Sequence, residues 1–302
     1  MTQAIADKEE VPTESSTPWR APLSAAAAAA LLEACGGGGG GPGTATPVTP
    51  PISDQVTFAT DYAAARFLQH AQFSSSEAEI AAVKSMGASA WLDSQMSLPS
   101  SLGGWDWLAK QGYNAIDSNQ FYQMDYQANF MAWNQIMAAP DGVRRRMALA
   151  LSEFFVASIS GVSTISWSQF AMGHYWDILC NNAFGNFRKL LEEITLCVAM
   201  GSFLNTLNNE KEDPVTGRQP DENYAREVMQ LFTLGVSQLN LDGTPKTDAN
   251  GAPLDTYTQS DVTNLARVFT GYVTDESDGY TKSPVAPMYF NVANVGYTRK
   301  PM

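Results

Sequence analysis

The sequence predicts a mainly α protein: an irregular multi-helix domain that carries a small β-hairpin insertion. Three observations predict it. From Thr57 onward apolar residues recur at spacings of three and four, the period of one helical face. The segments with this period open on Ser, Thr, Asp or Asn and close on Gly or before Pro, the residues that start and stop helices. One stretch, residues 238–254, drops the period for Asp242-Gly243 and Asn250-Gly251 turns between short extended pieces.

Taken in order, Asp61–Ala71 is a first short helix. Ser74-Ser75-Ser76-Glu77 reads as a capping box, opening a helix that runs to Met86 and stops at Gly87. Ala88–Met96 is a third helix, with Trp91 and Leu92 inward, ended before Pro99. A Gly/Trp-rich loop (102–112) precedes two long helices, 119–138 and 141–158. Pro140-Asp141-Gly142 breaks them into an antiparallel hairpin. Residues 159–166 form a Ser/Gly/Thr turn, and 167–181 a helix that carries His174. Asn186 caps 187–199, with apolar positions at Phe187, Leu190, Leu191, Ile194 and Val198. A short element (201–208) and a polar loop (209–219) follow.

The next helix has the densest polar face of the chain. Asp221 serves as its N-cap and Gly235 takes the left-handed position beyond its end. At about 100° per residue, Glu222, Asn223, Arg226, Glu227 and Gln230 share one arc, and Tyr224, Ala225, Val228, Leu231 and Phe232 the other. After the hairpin insertion, Thr258-Gln259-Ser260-Asp261 caps a last helix to Thr270, and residues 272–302 read as extended. No internal repeat is read from the chain. Asp248-Ala249-Asn250-Gly251 reads as a turn in preference to a calcium loop, since the later alternating ligands are missing.

Residues 1–56 stand apart from the helical domain of 57–302. Polar residues lead to Arg20, an alanine run and Leu32-Glu33-Ala34-Cys35, the layout of an export signal. The apolar run is too short to span a bilayer, which takes roughly 20 residues. The last four residues are similar to a lipoprotein box, with Cys35 as the lipidation site; another export signal, or a plain disordered alanine-rich tail, stays open. Gly36 to Gly41 and the Pro-rich residues to Pro51 form a flexible tether. The expected location is therefore outside the cytoplasm, periplasmic or membrane-anchored, with the membrane reached only through a lipidated amino terminus.

Composition removes several function classes. With 18 Lys+Arg against 31 Asp+Glu, the net charge of −13 argues against nucleic acid as a partner. Arg144-Arg145-Arg146 reads as a solvated or ion-paired helical face. Two histidines (His70, His174) and three cysteines (Cys35, Cys180, Cys197) supply no zinc, haem or paired-cysteine motif. No cofactor is expected and no metal site is assigned, although carboxylate–oxygen chemistry stays open. His174 has Asp177 three residues on, which would orient its ring. Cys180 and Cys197 lie on neighbouring helices, where either a bridge or two buried thiols would fit. Trp105, Trp107, Tyr113, Tyr122, Tyr126, Trp133 and Trp176 are core aromatics or the lining of a groove.

Four stretches carry a family resemblance: Phe67 to Phe73, the turn Ala183-Phe184-Gly185-Asn186-Phe187-Arg188, Pro220 to Gly235, and Asp261 to Tyr272. Together they resemble the DUF 1800 family, a bacterial family of largely helical, mostly exported proteins whose biochemical role is unassigned. The Glu-Asn-Tyr-Ala-Arg-Glu core and Leu-Phe-Thr-Leu-Gly ending of the polar helix look like the family's strongest signature. Members are similar over a longer span, which implies a domain cut short at Met302. The resemblance also implies an envelope partner of the exported DUF 1501 type.

Two functional readings follow. In one, the domain is a binding or assembly component of the cell envelope. In the other it is an envelope enzyme, a hydrolase for example, with Glu222, Arg226 and Glu227 as acid/base or anion-binding groups and Asn223, Tyr224 and Gln230 as binding residues. Whether the chain is an enzyme is left open. The enzyme reading requires Glu222, Arg226 and Glu227 to converge in a water-accessible pocket.

Overall fold

The computed structural model describes residues 56–285 and 291–302. The export segment, Cys35 and the tether lie outside them. Among the described residues twelve helices run in the order α1 (Asp61–Ala71), α2 (Glu77–Met86), α3 (Ala88–Met96), α4 (Gly104–Lys110), α5 (Gln127–Met137), α6 (Gly142–Phe154), α7 (Ile159–Val162), α8 (Ser168–Asn181), α9 (Phe187–Thr195), α10 (Val198–Phe203), α11 (Asn223–Glu227) and α12 (Gln259–Val268). A two-stranded antiparallel ladder, β1 (Tyr280–Lys282) with β2 (Asn291–Ala293), and a 3₁₀ turn (Val295–Arg299) complete the chain. The mainly α class with a small antiparallel element is as expected, but the ladder lies at 280–293, in the stretch read as extended, and not at 238–254 where the insertion was expected.

The fold is organised around α8. Its apolar residues run round the whole circumference: Phe170, Ala171, Tyr175, Trp176, Ile178, Leu179 and Cys180 are all buried. A helix apolar on every side must be covered on every side. Here α4, α5, α6, α7, α9, α10 and the terminal 3₁₀ turn do so. The main core gathers Trp105, Tyr122, Phe155, Trp167 and Phe170 around it. A second cluster, Leu68, Val83, Trp91 and Val143, joins α1, α2 and α3 to α6. A third, Ala225, Met229, Val262 and Ala266, joins α11 to α12.

Several boundaries differ from the sequence reading, each for a physical reason. The expected loop 102–112 contains α4. Gly103 and Gly104 act there as contact residues and not as breakers: a Cβ on Gly104 would sit 2.6 Å from Met131 Sδ, and one on Gly173 of α8 would sit 3.0 Å from Trp105 N. The small residues let α4 and α8 approach closely. Asp177 of α8 caps the new helix, accepting from Gly104 N (2.5 Å) and Trp105 N (3.1 Å). The helix expected over 141–158 ends at Phe154, where Phe155 turns to become fully buried and stacks on Phe187. That over 119–138 begins only at Gln127, preceded by a 3₁₀ turn at Phe121–Gln123. The helix capped by Asn186 stops at Thr195 and restarts as α10 at Val198. The capping box of α2 pairs Ser76 with Glu79, two residues later than Ser74 and Glu77.

The terminal residues are not merely extended. Thr298 is fully buried and accepts from Trp105 Nε1 (2.9 Å), while Trp167 Nε1 donates to Ala293 O (2.8 Å). Residues 238–254 pair in an unexpected way. Gln238 N donates to Leu254 O, Leu254 N to Lys246 O, and Lys246 N to Gln238 O, at 2.8, 2.9 and 2.8 Å. Each of three segments thus pairs with both others, which closes a small three-sided unit. The donors stand eight residues apart. Asn240-Leu241-Asp242-Gly243-Thr244-Pro245 and Asp248-Ala249-Asn250-Gly251-Ala252-Pro253 make the same turn, with Asn240 N to Thr244 O matching Asp248 N to Ala252 O. This short repeat is a correction to the reading of no repeat.

Candidate functional site

The polar helix is reached first. The N-cap residue is Glu222, without a side-chain cap, and not Asp221 as the sequence reading has it; Asp221 Oδ1 instead accepts from Asn223 N (2.8 Å) in the turn before the helix. Glu222 and Arg226 do come together, with Arg226 Nη2 donating to Glu222 Oε2 (2.9 Å). The same oxygen accepts from Gln259 Nε2 (2.8 Å), and Oε1 accepts from Thr263 Oγ1 (2.8 Å). The Thr263 and Gln259 hydrogen bonds, with the nearby Arg226 guanidinium, hold the Glu222 carboxyl below the usual range. The carboxylate is thereby tied to α12. Asn223 is exposed, and Gln230 Oε1 accepts from Tyr257 Oη at 3.4 Å. Tyr224 sits in the core with 1% of its surface exposed, its hydroxyl 2.7 Å from Thr195 Oγ1 and its ring edge-on to Phe269. Glu227 joins none of these bonds: its Oε2 is buried with no hydrogen-bond partner among the described residues.

Beyond Glu227 the helix widens into a π turn, Val228–Thr233. Bonds from residue i to i+5 reduce the rotation per residue, so the α-helical wheel loses register. Met229 and Phe232 are buried at 8% and 3%, while Leu231, placed inward by the wheel, is 50% exposed. Gly235, at φ 74°, ends the turn with its N–H on Met229 O (2.9 Å), in the left-handed position expected of it.

The arginine run is engaged by the fold, apart from Arg144 Nε, which is buried without a hydrogen-bond partner and lies 3.7 Å from Asp141 Oδ2. Arg145 is completely buried, donating to Asp141 Oδ1 (3.2 Å), Ser101 Oγ (2.7 Å) and Cys180 Sγ (2.9 Å). Burial raises the Asp141 carboxyl, yet the Ser101 hydrogen bonds and the Arg145 charge hold it below its ordinary value. Arg144 donates to Cys180 O and Leu98 O and lies over Phe184; Arg146 lies over Phe73. Cys180 and Cys197 are both free and buried, and burial pushes their thiols up to about 12 and about 11.

The more open chemistry lies on the other side of the hub. A cleft of about 550 Å³ is lined by His174, Ile178 and Asn181 of α8, by Lys189, Glu192 and Glu193 of α9, and by Leu196, Cys197, Arg299 and Pro301. That volume is of the size that takes a small ligand. His174 does not use Asp177, which faces α4; neither of its ring nitrogens has a hydrogen-bond partner among the described residues. Burial lowers the imidazole to about 4, against Glu193, which raises it, while Arg299 lowers it further. His174 is therefore neutral at pH 7. Glu193 accepts from Asn182 Nδ2 (2.6 Å) and pairs with Lys189 (3.5 Å). Arg299 stacks 3.9 Å over Trp105 and pairs with Asp106 (3.6 Å). The sequence reading noted His174 but not Glu192, Glu193 or Arg299. The Lys189/Glu193 spacing was a usable signal; Arg299, from the far end of the chain, gave none.

Among the described residues, no group of three His, Cys, Asp or Glu is placed to hold a metal ion, and no helix is long and apolar enough to cross a membrane. Asp248 Oδ1 accepts from Asn250 N and Ala252 N (2.8 and 2.9 Å), so that stretch is a turn. No curated protein and no solved structure matches the chain. A family model described as a protein of unknown function (DUF1800) matches residues 66–299. That match takes in the hub, the signature helix and all of the cleft lining except Pro301, and on it the chain belongs to the DUF1800 family.

Proposed function

We propose that this domain is a binding or assembly component of the cell envelope, exported through its amino-terminal segment and held at the membrane by a lipid on Cys35. The observation that carries the binding role is an exposed stripe along α5. Tyr126, Phe130, Trp133 and Met137 are 45%, 52%, 64% and 75% exposed and follow one another at spacings of four, three and four. Gln127–Met137 contains no charged residue, so covering this helix requires no side-chain charge on it to be desolvated. Tyr126 and Phe130 already pack edge-on at 5.6 Å, which lowers the entropy lost on contact. Aromatic residues and Met are the side chains enriched at protein contacts. The proposed partner is an exported protein of the DUF 1501 type; the acidic chain is unsuited to nucleic acid.

The test is capture of that partner by the full-length chain, comparing wild type with Trp133→Asp. Loss of about tenfold in affinity with unchanged thermal unfolding is the expected result. Equal capture by both proteins, or none by the wild type, overturns the reading.

An enzymatic role for the signature helix retains one supporting observation. Glu222 and Arg226 are engaged with α12, but the Glu227 Oε2 is buried and unpartnered, a group that a bound donor would satisfy. Hydrolysis of a chromogenic ester, peptide or glycoside by the full chain, lost in Glu227→Gln and kept in Glu222→Gln, would favour the enzyme. Absence of turnover in the wild type would count against it.

A further inference from the structure

We propose that the cleft between α8, α9 and residues 299–301 binds a small organic cation, an ammonium group carried on an apolar body. The walls supply the apolar part, with Ile178, Leu196 and Pro301 exposed to a volume that fits an aromatic or branched aliphatic group. The charge follows from which ionic groups are already committed. Lys189 is paired with Glu193, and Arg299 is both paired with Asp106 and stacked on Trp105. Both cations of the cleft thus already face a carboxylate of this chain, in exposed pairs that offset their charge. Glu192 is exposed, and its carboxylate has no hydrogen bond or ion pair among the described residues. It is the uncommitted charge of the cleft, and it is negative.

His174 supplies the second recognition group. Its ring is mostly buried, lines the cleft and bonds to no described residue. A neutral imidazole offers one lone pair, which accepts an N–H from an ammonium group; an imidazolium would repel it. The chemistry of the two free groups is therefore mutually consistent: one carboxylate to balance the charge and one acceptor to orient it. Neither needs a partner from outside this chain.

The experiment uses the full chain with ¹³C-labelled histidine rings. His70 and His174 are the only histidines, so a His70→Gln variant assigns both signals. The probe is 2-phenylethylamine, and the control is 3-phenylpropionate, of similar shape and opposite charge. The expected result is a saturable shift of the His174 signal alone, with Kd on the order of 1 mM. Glu192→Gln, on an exposed helical position, should weaken binding about tenfold. Absence of a saturable His174 shift, an equal response to 3-phenylpropionate, or unchanged affinity in Glu192→Gln would each overturn the proposal.

Discussion

Helices α8 and α11 handle polar residues in opposite ways. The signature helix α11 displays many, and the structure uses most of them internally: Glu222 alone engages Arg226, Gln259 and Thr263. The hub α8 has few that are not buried, namely His174, Asp177 and Asn181, among a surface otherwise covered on all sides. Asp177 fixes α4, and His174 is left facing a cleft without a partner. Density of polar residues in a sequence is therefore a poor guide to where a ligand would be held. What counts is a donor or acceptor that the fold has not already satisfied.

The sharpest way to break this contrast is at the base of the hub. Arg145→Ala would leave the buried Asp141 carboxylate with only the longer Arg144 pair (3.7 Å) and its Ser101 hydrogen bonds, and remove the donor to Cys180 Sγ. Stripping one partner from a buried ion pair costs about 3–5 kcal/mol. Denaturant unfolding should show a loss of that size, larger than any change on the α11 face. A loss below about 1 kcal/mol would mean that the α6–α8 contact does not hold the hub together.

How much of this was readable in the sequence depends on the range of the interactions. Helices with local punctuation were legible: Asn186 before α9 and Thr258 before α12 cap through their own side chains as read, and the serine run before α2 was recognised although the cap is Ser76 and not Ser74. The position of Gly235 was legible for the same reason. α4 was not, because its N-terminal cap is Asp177, more than seventy residues away, and its glycines read as breakers. The π turn escaped a wheel drawn at a fixed angle. At the candidate sites, the i,i+4 spacing of Glu222 and Arg226 allowed a local pair or a polar network tying helices together, but it did not single out α12 as the partner. The cleft was invisible for a related cause: His174, Glu192 and Arg299 meet only when the chain end packs on the hub. The arginine run shows the same limit, since only packing makes Arg145 a core residue.

A second test sets two α8 side chains against each other. Burial holds His174 at about 4, below its ordinary 6.5, so between those values the unfolded chain takes up a proton that the native state does not. Its contribution therefore makes stability fall as pH drops from 6.5 to 4. Burial holds Asp177 at about 6, above its ordinary 3.8, even though Gly104 and Trp105 donate to it. The native state then binds the proton first, and its contribution makes stability rise as pH drops from 6 to 3.8. Each is worth up to about 3 kcal/mol across its window, with opposite sign, so the pair nearly cancels in the wild type. Relative to wild type, His174→Gln should gain stability on acidification and Asp177→Asn should lose it. Urea unfolding at pH 4.5, 5.5 and 6.5 reads these slopes; three parallel curves would show that neither group is held as described.

The smallest effect is expected on the helix that looked richest. Glu222→Ala removes three hydrogen bonds from α11, but Glu222 and Arg226 keep 31% and 39% of their side-chain surface exposed. Arg226, Gln259 and Thr263 would re-form their bonds with water, so the loss should stay below about 1 kcal/mol. Because the Glu222 carboxyl is held below its ordinary value, even this contribution belongs to neutral pH and disappears as the solution is acidified through that lowered value. A double-mutant cycle with Thr263→Val isolates one of its bonds to α12 from general packing. A coupling of several kcal/mol would reverse the contrast, making the α11–α12 network as much a structural centre as the hub. A coupling of a few tenths would leave it as a surface tie, with Glu227 Oε2 as the one buried side-chain oxygen of that helix without a hydrogen-bond partner among the described residues.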